Sequence, residues 1–459
     1  MIGSEPLLSI DATACVAPPF DMPVRLRKVE RLATWRGAPY ALSYLLTPRE
    51  VNASELVQLL RWAHAQGLPN PRVITPALVR LSSLLHPRFY ASVREDFPVA
   101  VPPLVWADEA VPGDFQSLSR LWLESVLFLS GVTLSAAIIQ GRYSAGTIGS
   151  KFDRLWDAGT LAAAGVAPEL QPLELHARIQ ALATQGDTGV PMLLQLRELF
   201  IQALELIVPS LGTLETLRCT EHLPPDGRFG FVSTVREALD QSLRAIVVYG
   251  SSVSSAHFAD IDALVVTDDP VSALRKLSNT SPVWQGKELN LGVYSPDELL
   301  VMQRLSGDNL SDYGVCVYGE TVVVRKPVAT LLARNFSFGV VRQRQQFGML
   351  SREIGLSTPG DADRLNLNEY FVKIPANVAK GTFGAVGRRL PKEQVHDWLK
   401  MTVCFDTPGA QAQAARGQVV DALAHSSLAT GLALHALNRE FHVIRDSDAL
   451  STETMSSSS

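Results

Sequence analysis

The sequence predicts an α+β protein, with a small mixed sheet lying between two mostly helical regions. Three observations lead there. Short runs rich in β-branched residues, 245–249, 260–266 and 288–294, are bunched in one part of the 459-residue chain and read as buried strands. Helical stretches separate these runs, giving an order of mixed strands and helices. On both sides of this core, apolar residues recur at the spacing of helices.

Taken in order, residues 1–50 mix prolines with a basic run from Arg25 to Lys28 and with Trp35, and they show no clear element. From Ala53 the pattern turns helical. Asn52 or Ser54 caps a helix reaching Ala65, and Thr75 precedes another with Pro76 in its first turn. A proline-rich link at 99–104 follows, and helical spacing returns over 114–129, 173–183 and 192–207. The glycine- and base-containing stretch 141–151 lacks the Gly-Lys-Ser/Thr ending of a phosphate-binding loop and has no strand before it, so it reads as a loop between helices. Pro224, Pro225 and Gly227 mark a boundary. A helix over 231–244 then leads into the first strand, a turn at Gly250 and Ser251, the second strand, a helix over 271–277 and the third strand. Pro296, Asp297 and Glu298 open a further helix, and 315–324 reads as a hairpin-like element around Gly319. Helices follow over 328–335, 342–354, 369–380, 392–403 and 411–437. The expected organisation is therefore a mostly helical region 1–223, a core 224–327, a helical domain 328–446 and a polar, disordered tail 447–459.

Composition narrows the function classes. A length of 459 residues predicts two or three domains, and 46% hydrophobic with 19% charged residues is the balance of a folded protein. A net charge of −5 disfavours nucleic acid as an extended ligand, although a local basic patch would serve an RNA end. Cys15, Cys219, Cys316 and Cys404 are far apart with no zinc-like spacing, which predicts reduced thiols and a cytoplasmic location. No basic-then-apolar leader opens the sequence. The apolar stretch 121–139 carries Glu124 and several serines, and it reads as a buried helix rather than a membrane span.

The stretch from Tyr249 to Val266 is the cluster that implies a chemistry. Side chains alternate along a strand, so Asp260 and Asp262 share a face with Ile261 opposed. Two adjacent carboxylates at a sheet end repel and lose hydration unless a cation lies between them. A divalent ion is the simplest resolution, and oxygen ligands suit Mg²⁺ or Mn²⁺ with nucleotide phosphates completing the shell. Gly250 lets backbone approach phosphate oxygens, and the Ser251 hydroxyl adds a donor. Singly these pieces are weak, because Gly-Ser-Ser is also an ordinary capped turn and Asp-x-Asp is common. Their spacing between two apolar strands is what joins them.

This arrangement resembles the nucleotidyltransferase superfamily related to DNA polymerase β, whose signature is an apolar strand, Gly-Ser or Gly-Gly, a gap, and Asp-x-Asp on the next strand. The likeness covers the central part of the chain and implies that 224–327 is a nucleotidyltransferase core. It further implies that Gly250, Ser251 and Ser252 hold a nucleoside triphosphate, ATP or CTP. Asp260 and Asp262 would bind Mg²⁺ or Mn²⁺ and act in catalysis as pyrophosphate leaves. A third carboxylate often completes the family site. The register of 288–294 puts Asn290 at that position and Glu288 one step earlier on the same face. Either Glu288 is the third catalytic and metal-binding acid, or two carboxylates suffice, or activity has been lost.

Helical C-terminal modules close over the nucleotide in much of the superfamily, which makes Arg342, Arg344, Lys373 and Lys380 candidates to reach phosphates. The acceptor class stays open among a small molecule, an RNA end and a lipid. Residues 249–253, 265–271, 292–299 and 325–328 are similar to stretches of mitochondrial-type CDP-diacylglycerol synthase, a peripheral membrane phosphatidate cytidylyltransferase. The Trp-His and Asn-rich segment expected after the Asp-Pro is missing here. A catalytically inactive binding or scaffold protein of the same fold is the competing class, with the N-terminal region as a surface for a protein partner or an oligomer.

Overall fold

The computed structural model of the chain describes residues 14–16, 22–31, 40–140, 158–166, 190–207, 215–220, 227–254, 258, 260–280, 283–356 and 368–446. They divide into two compact units. Residues up to Leu123, those at 158–166 and those from Val328 onward form the first, and the others form the second. The chain is α+β. Its N-terminal half is shared between the two units, and the helices after Pro327 belong with residues up to Leu123. The 173–183 helix, the 141–151 loop, the prolines at 224 and 225 and the 447–459 tail lie outside the described residues.

In the second unit the apolar runs become Leu243–Tyr249, Asp260–Thr267 and Lys287–Tyr294. Ile261, Ala263 and Val265 are buried, as the interior of a covered sheet requires. The six-stranded sheet runs in the order Glu215–Thr220, Val315–Arg325, Leu243–Tyr249, Asp260–Thr267, Lys287–Tyr294, Val283–Trp284. Among the described residues of this sheet only Asp260–Thr267 with Lys287–Tyr294 is a parallel pair, and the helix Pro270–Leu277 crosses between them. Residues 315–325 do not form a hairpin. They make one bent strand whose first half pairs with Leu243–Tyr249 and whose second half pairs with Glu215–Thr220. The register shifts between Cys316 and Tyr318, and Gly319, with φ +66 and so close to the Arg244 carbonyl that a Cβ would collide with it, stands where the continuous strand passes from one partner to the other.

The helix Pro296–Leu305 begins as its sequence dictates, with Ser295 and Glu298 forming a reciprocal capping box and Pro296 in the first turn. Glu298 also pairs at 2.5 Å with the buried Arg197 of Val190–Ile207. That ion pair holds two helices of the unit together. Among the described residues one helix, Phe115–Gln140, is long and apolar enough to cross a membrane, but 76% of its apolar stretch is buried within the protein. Glu124 is buried with it, as are several of its hydroxyl residues.

The first unit contains a sheet in the stretch that showed no clear element, in the order Ala14–Val16, Val24–Arg31, Tyr40–Leu46, Pro71–Ile74. The last two strands are parallel, and the helix Ala53–Ala65 joins them, capped by Asn52 with Glu55 in return. The later helices are Val328–Gly355, Ile374–Ala385, Lys392–Val403, Thr407–Ala415 and Val419–Phe441. Two predicted helices merge in Val328–Gly355, because packing of Gly339 against Leu434 carries the helix through a weak sequence. Leu45, Leu56, Phe336, Leu423 and Leu434 lie in one core, so the sheet and the C-terminal helices bury their apolar faces together.

Candidate functional site

The second unit brings the predicted site residues onto one end of its sheet. Tyr249, Asp262 and Asn290 stand in one row across three neighbouring strands, because Asp262 pairs with Tyr249 on one side and with Asn290 on the other. Glu288 is in register with Asp260. The Asn290 Nδ2 donates at 3.0 Å to Oδ2 of Asp260 and at 3.0 Å to Oδ1 of Asp262. It is therefore Asn290, in the predicted third-acid position, whose side chain reaches both carboxylates. Among the described residues no three His, Cys, Asp or Glu side chains come together as a metal-holding group.

Gly250 closes the first strand with φ +80, and a Cβ there would stand 2.6 Å from Oδ2 of Asp262. Both facts call for glycine. The turn thus lies against the carboxylate row. Ser251 and Ser252 open the short helix Ser251–Ser254, with Ser252 fully buried and its hydroxyl donating to the Tyr249 carbonyl. Arg228 donates to the Ser252 carbonyl at 2.9 Å and approaches the Phe258 ring, as Lys287 does. Sequence reasoning missed these two cations. Arg228 follows the Pro-Pro-Asp-Gly boundary and carries no motif, and Lys287 is the first residue of its strand, where it pairs with Trp284. Arg342, Arg344, Lys373 and Lys380, the candidates to reach phosphates, all belong to the first unit, where the guanidinium groups of Arg342 and Arg344 lie on the rings of Tyr370 and Phe89.

A cavity of about 200 Å³ opens beside the row. It runs over the same sheet face past Leu264 and Gly292 towards Tyr294, with Phe128 and Met302 forming walls from two helices. Gly292 leaves the room, since a Cβ would press on Tyr294 and Leu264 at 2.9 and 3.0 Å. Asp308 and Tyr313 reach the cavity from the connection after Pro296–Leu305. The buried Lys326 fixes that connection by donating to the Gln303 carbonyl and, at 2.9 Å, to the Ser306 hydroxyl, while its backbone exchanges hydrogen bonds with Asn309.

Neither the family models nor the curated proteins compared with the chain give a match. The chemistry must be read from the geometry. Burial and then the neighbouring Asp262 push the Tyr249 phenol well above its ordinary range. Burial and then Asp308 do the same for Tyr313. Burial brings Tyr294 up to about 12. All three are neutral phenols at physiological pH, with carboxylates near Tyr249 and Tyr313 adding to the effect of burial.

Proposed function

We propose that the second unit is a metal-dependent nucleotidyltransferase, transferring a nucleoside monophosphate from a triphosphate to an acceptor hydroxyl or phosphate with release of pyrophosphate. The observation that carries this reading is the contact of the positive-φ Gly250 with Asp262, which joins a phosphate-accommodating turn to a carboxylate pair.

The side chains suit a divalent ion. Asp260 and Asp262 offer hard oxygens, and a half-turn of the Asn290 amide exchanges its Nδ2 for Oδ1, adding a third oxygen between them. Bound there, the ion would supply positive charge to the reacting phosphate oxygens and acidify an acceptor hydroxyl. Gly250, Ser251 and Ser252 let the triphosphate approach backbone, and Arg228 beside Ser252 adds charge. Asp262 stands in register with the cavity-lining Asn290 and would orient an acceptor and take its proton. Glu288, opposite Asp260, flanks the pair.

The amide bridge also favours a second reading, a catalytically inactive binding module. Asn290 relieves the carboxylate repulsion with no ion at all. Titration of Mg²⁺ and Mn²⁺ with ATP and CTP, followed by melting temperature and pyrophosphate release, separates the two. Hydroxyl compounds, RNA ends and phosphatidate vesicles serve as acceptors. Transfer predicts a metal-dependent melting shift that Asp260→Asn and Asp262→Asn abolish. Absence of any shift with either metal defeats it.

A further inference from the structure

The cavity beside the carboxylate row has a hydrogen-bonding character of its own. The Asn290 amide gives its two N–H bonds to Asp260 and Asp262, so what it can offer the cavity is a carbonyl oxygen. Gln303 spends its amide on the backbone of Val322 and Val324 and presents only its stem. The Ser306 hydroxyl has one proton to give, shared between the carbonyls of Gln303 and Asp308. Asp308 is exposed at the rim, where its carboxylate accepts from the Tyr313 hydroxyl. The rings of Tyr249 and Tyr313 meet edge to face at 6.0 Å beside it. Lys326 is close by, but its ammonium is taken up by Gln303 and Ser306, and no Lys, Arg or His is among the described lining residues. The cavity is thus rich in acceptors and aromatic faces, poor in free donors, and apolar along Leu264 and Met302.

We infer that this cavity binds a small organic ammonium, an amine carried on an apolar or aromatic body, with the cationic end between the Asp308 carboxylate and the rings of Tyr249 and Tyr313. Carboxylate and aromatic faces both attract a cation, and the acceptor groups take its N–H bonds. The apolar body lies on Leu264, Gly292 and Met302. A phosphate or carboxylate ligand would meet like charge and few donors there. The inference does not depend on nucleotidyl transfer. If transfer is also correct, the acceptor is an ammonium compound whose body carries the attacking hydroxyl, which loses its proton as the pyrophosphate leaves.

The test is calorimetric titration of the full chain, without metal or nucleotide, using three probes of one shape: 2-phenylethylamine, 2-phenylethanol and 3-phenylpropanoate. The amine is expected to bind about tenfold more tightly than the alcohol, with the carboxylate weakest. Asp308→Asn should remove the amine's advantage while leaving the alcohol unchanged. Val132→Trp, at an exposed position on the cavity wall, should abolish binding of amine and alcohol alike. Equal affinity for amine and alcohol, no amine binding, or an Asp308→Asn or Val132→Trp variant that binds the amine like the parent would each overturn the inference. Because the assay contains neither metal nor triphosphate, its outcome is independent of whether transfer occurs.

Discussion

Asn290 and Asp262 face each other in register on parallel strands, and the amide nitrogen of one stands 3.0 Å from a carboxylate oxygen of the other. The same nitrogen reaches Asp260. A neutral amide thereby does part of a cation's work, donating to both members of a repelling pair. Asn290→Ala is expected to destabilise the metal-free second unit by about 1–3 kcal/mol, since two charge-assisted hydrogen bonds vanish and the repulsion returns. Denaturant unfolding with and without Mg²⁺ measures it, and the loss should shrink when the ion is present.

Asn290→Asp separates the roles of the amide further. A third carboxylate at this position removes the amide bridge and supplies a third hard ligand. The variant should be less stable than the parent without metal, yet gain about tenfold in Mg²⁺ affinity. A titration followed by melting temperature reads both. An Asp variant with unchanged metal response would mean that the row does not hold an ion.

Gly250→Ala probes the turn. Alanine at φ +80 costs about 1–2 kcal/mol, and its methyl group displaces the Asp262 carboxylate. The expected outcome is a folded protein with lowered stability and no melting shift on adding Mg²⁺ and triphosphate. Ser251→Ala, which strains nothing, should keep a reduced shift. Circular dichroism confirms the fold in each case.

Much of the site was legible because strand period and turn chemistry are local. The spacing of Asp260, Asp262 and Asn290 fixes which side chains share a face before any packing is known. The amide bridge was not legible, since it depends on the pairing of two strands and on which rotamer the neighbours leave open. Asp308 and Tyr313 were hidden for a similar reason: Lys326 and Asn309 place them through long-range hydrogen bonds that leave no periodic trace. In Val24–Arg31 the buried Val24 and Leu26 share one face, and Arg27 on the opposite face is also buried, held by Asp96 and the Ser92 carbonyl. The N-terminal sheet escaped because this apolar and polar alternation lasts only from Val24 to Arg27 before Lys28 and Val29 reverse it, too short a run to mark a strand. The bent strand at 315–325 looked like a hairpin because Gly319 sits where the strand changes partner rather than in a turn, and the two uses of glycine read alike in sequence.

Cys219 supplies a prediction outside the carboxylate row. A hydrogen bond from the Cys316 thiol holds the Cys219 thiol down to about 7, against the opposing effect of burial. Its alkylation rate should therefore rise to half its maximum near that pH, where an ordinary thiol is still mostly protonated. Cys316→Ala should move the midpoint upward. Peptide-resolved mass spectrometry after a pulse of iodoacetamide distinguishes Cys219 from the exposed Cys404.

Alkaline pH tests the buried phenols. Tyr294 has its pKa raised to about 12 by burial, with its hydroxyl sharing a hydrogen bond with Ser135, whereas an unfolded tyrosine ionises near 10. The folded state therefore retains a proton that the unfolded state gives up. That retention favours folding fully below pH 10 and is lost as pH rises from about 10 to about 12, a change on the order of 2–3 kcal/mol. Tyr249 and Tyr313 act in the same direction, since burial and the nearby Asp262 and Asp308 disfavour their phenolates. The second unit should consequently unfold in this window, and the phenolate absorbance of these residues should appear together with loss of the circular dichroism signal rather than before it. Tyr294→Phe should flatten the alkaline limb of the stability curve while leaving the neutral limb nearly unchanged. Phenolate absorbance preceding unfolding would show that these hydroxyls are hydrated and that the cavity is open to bulk solvent.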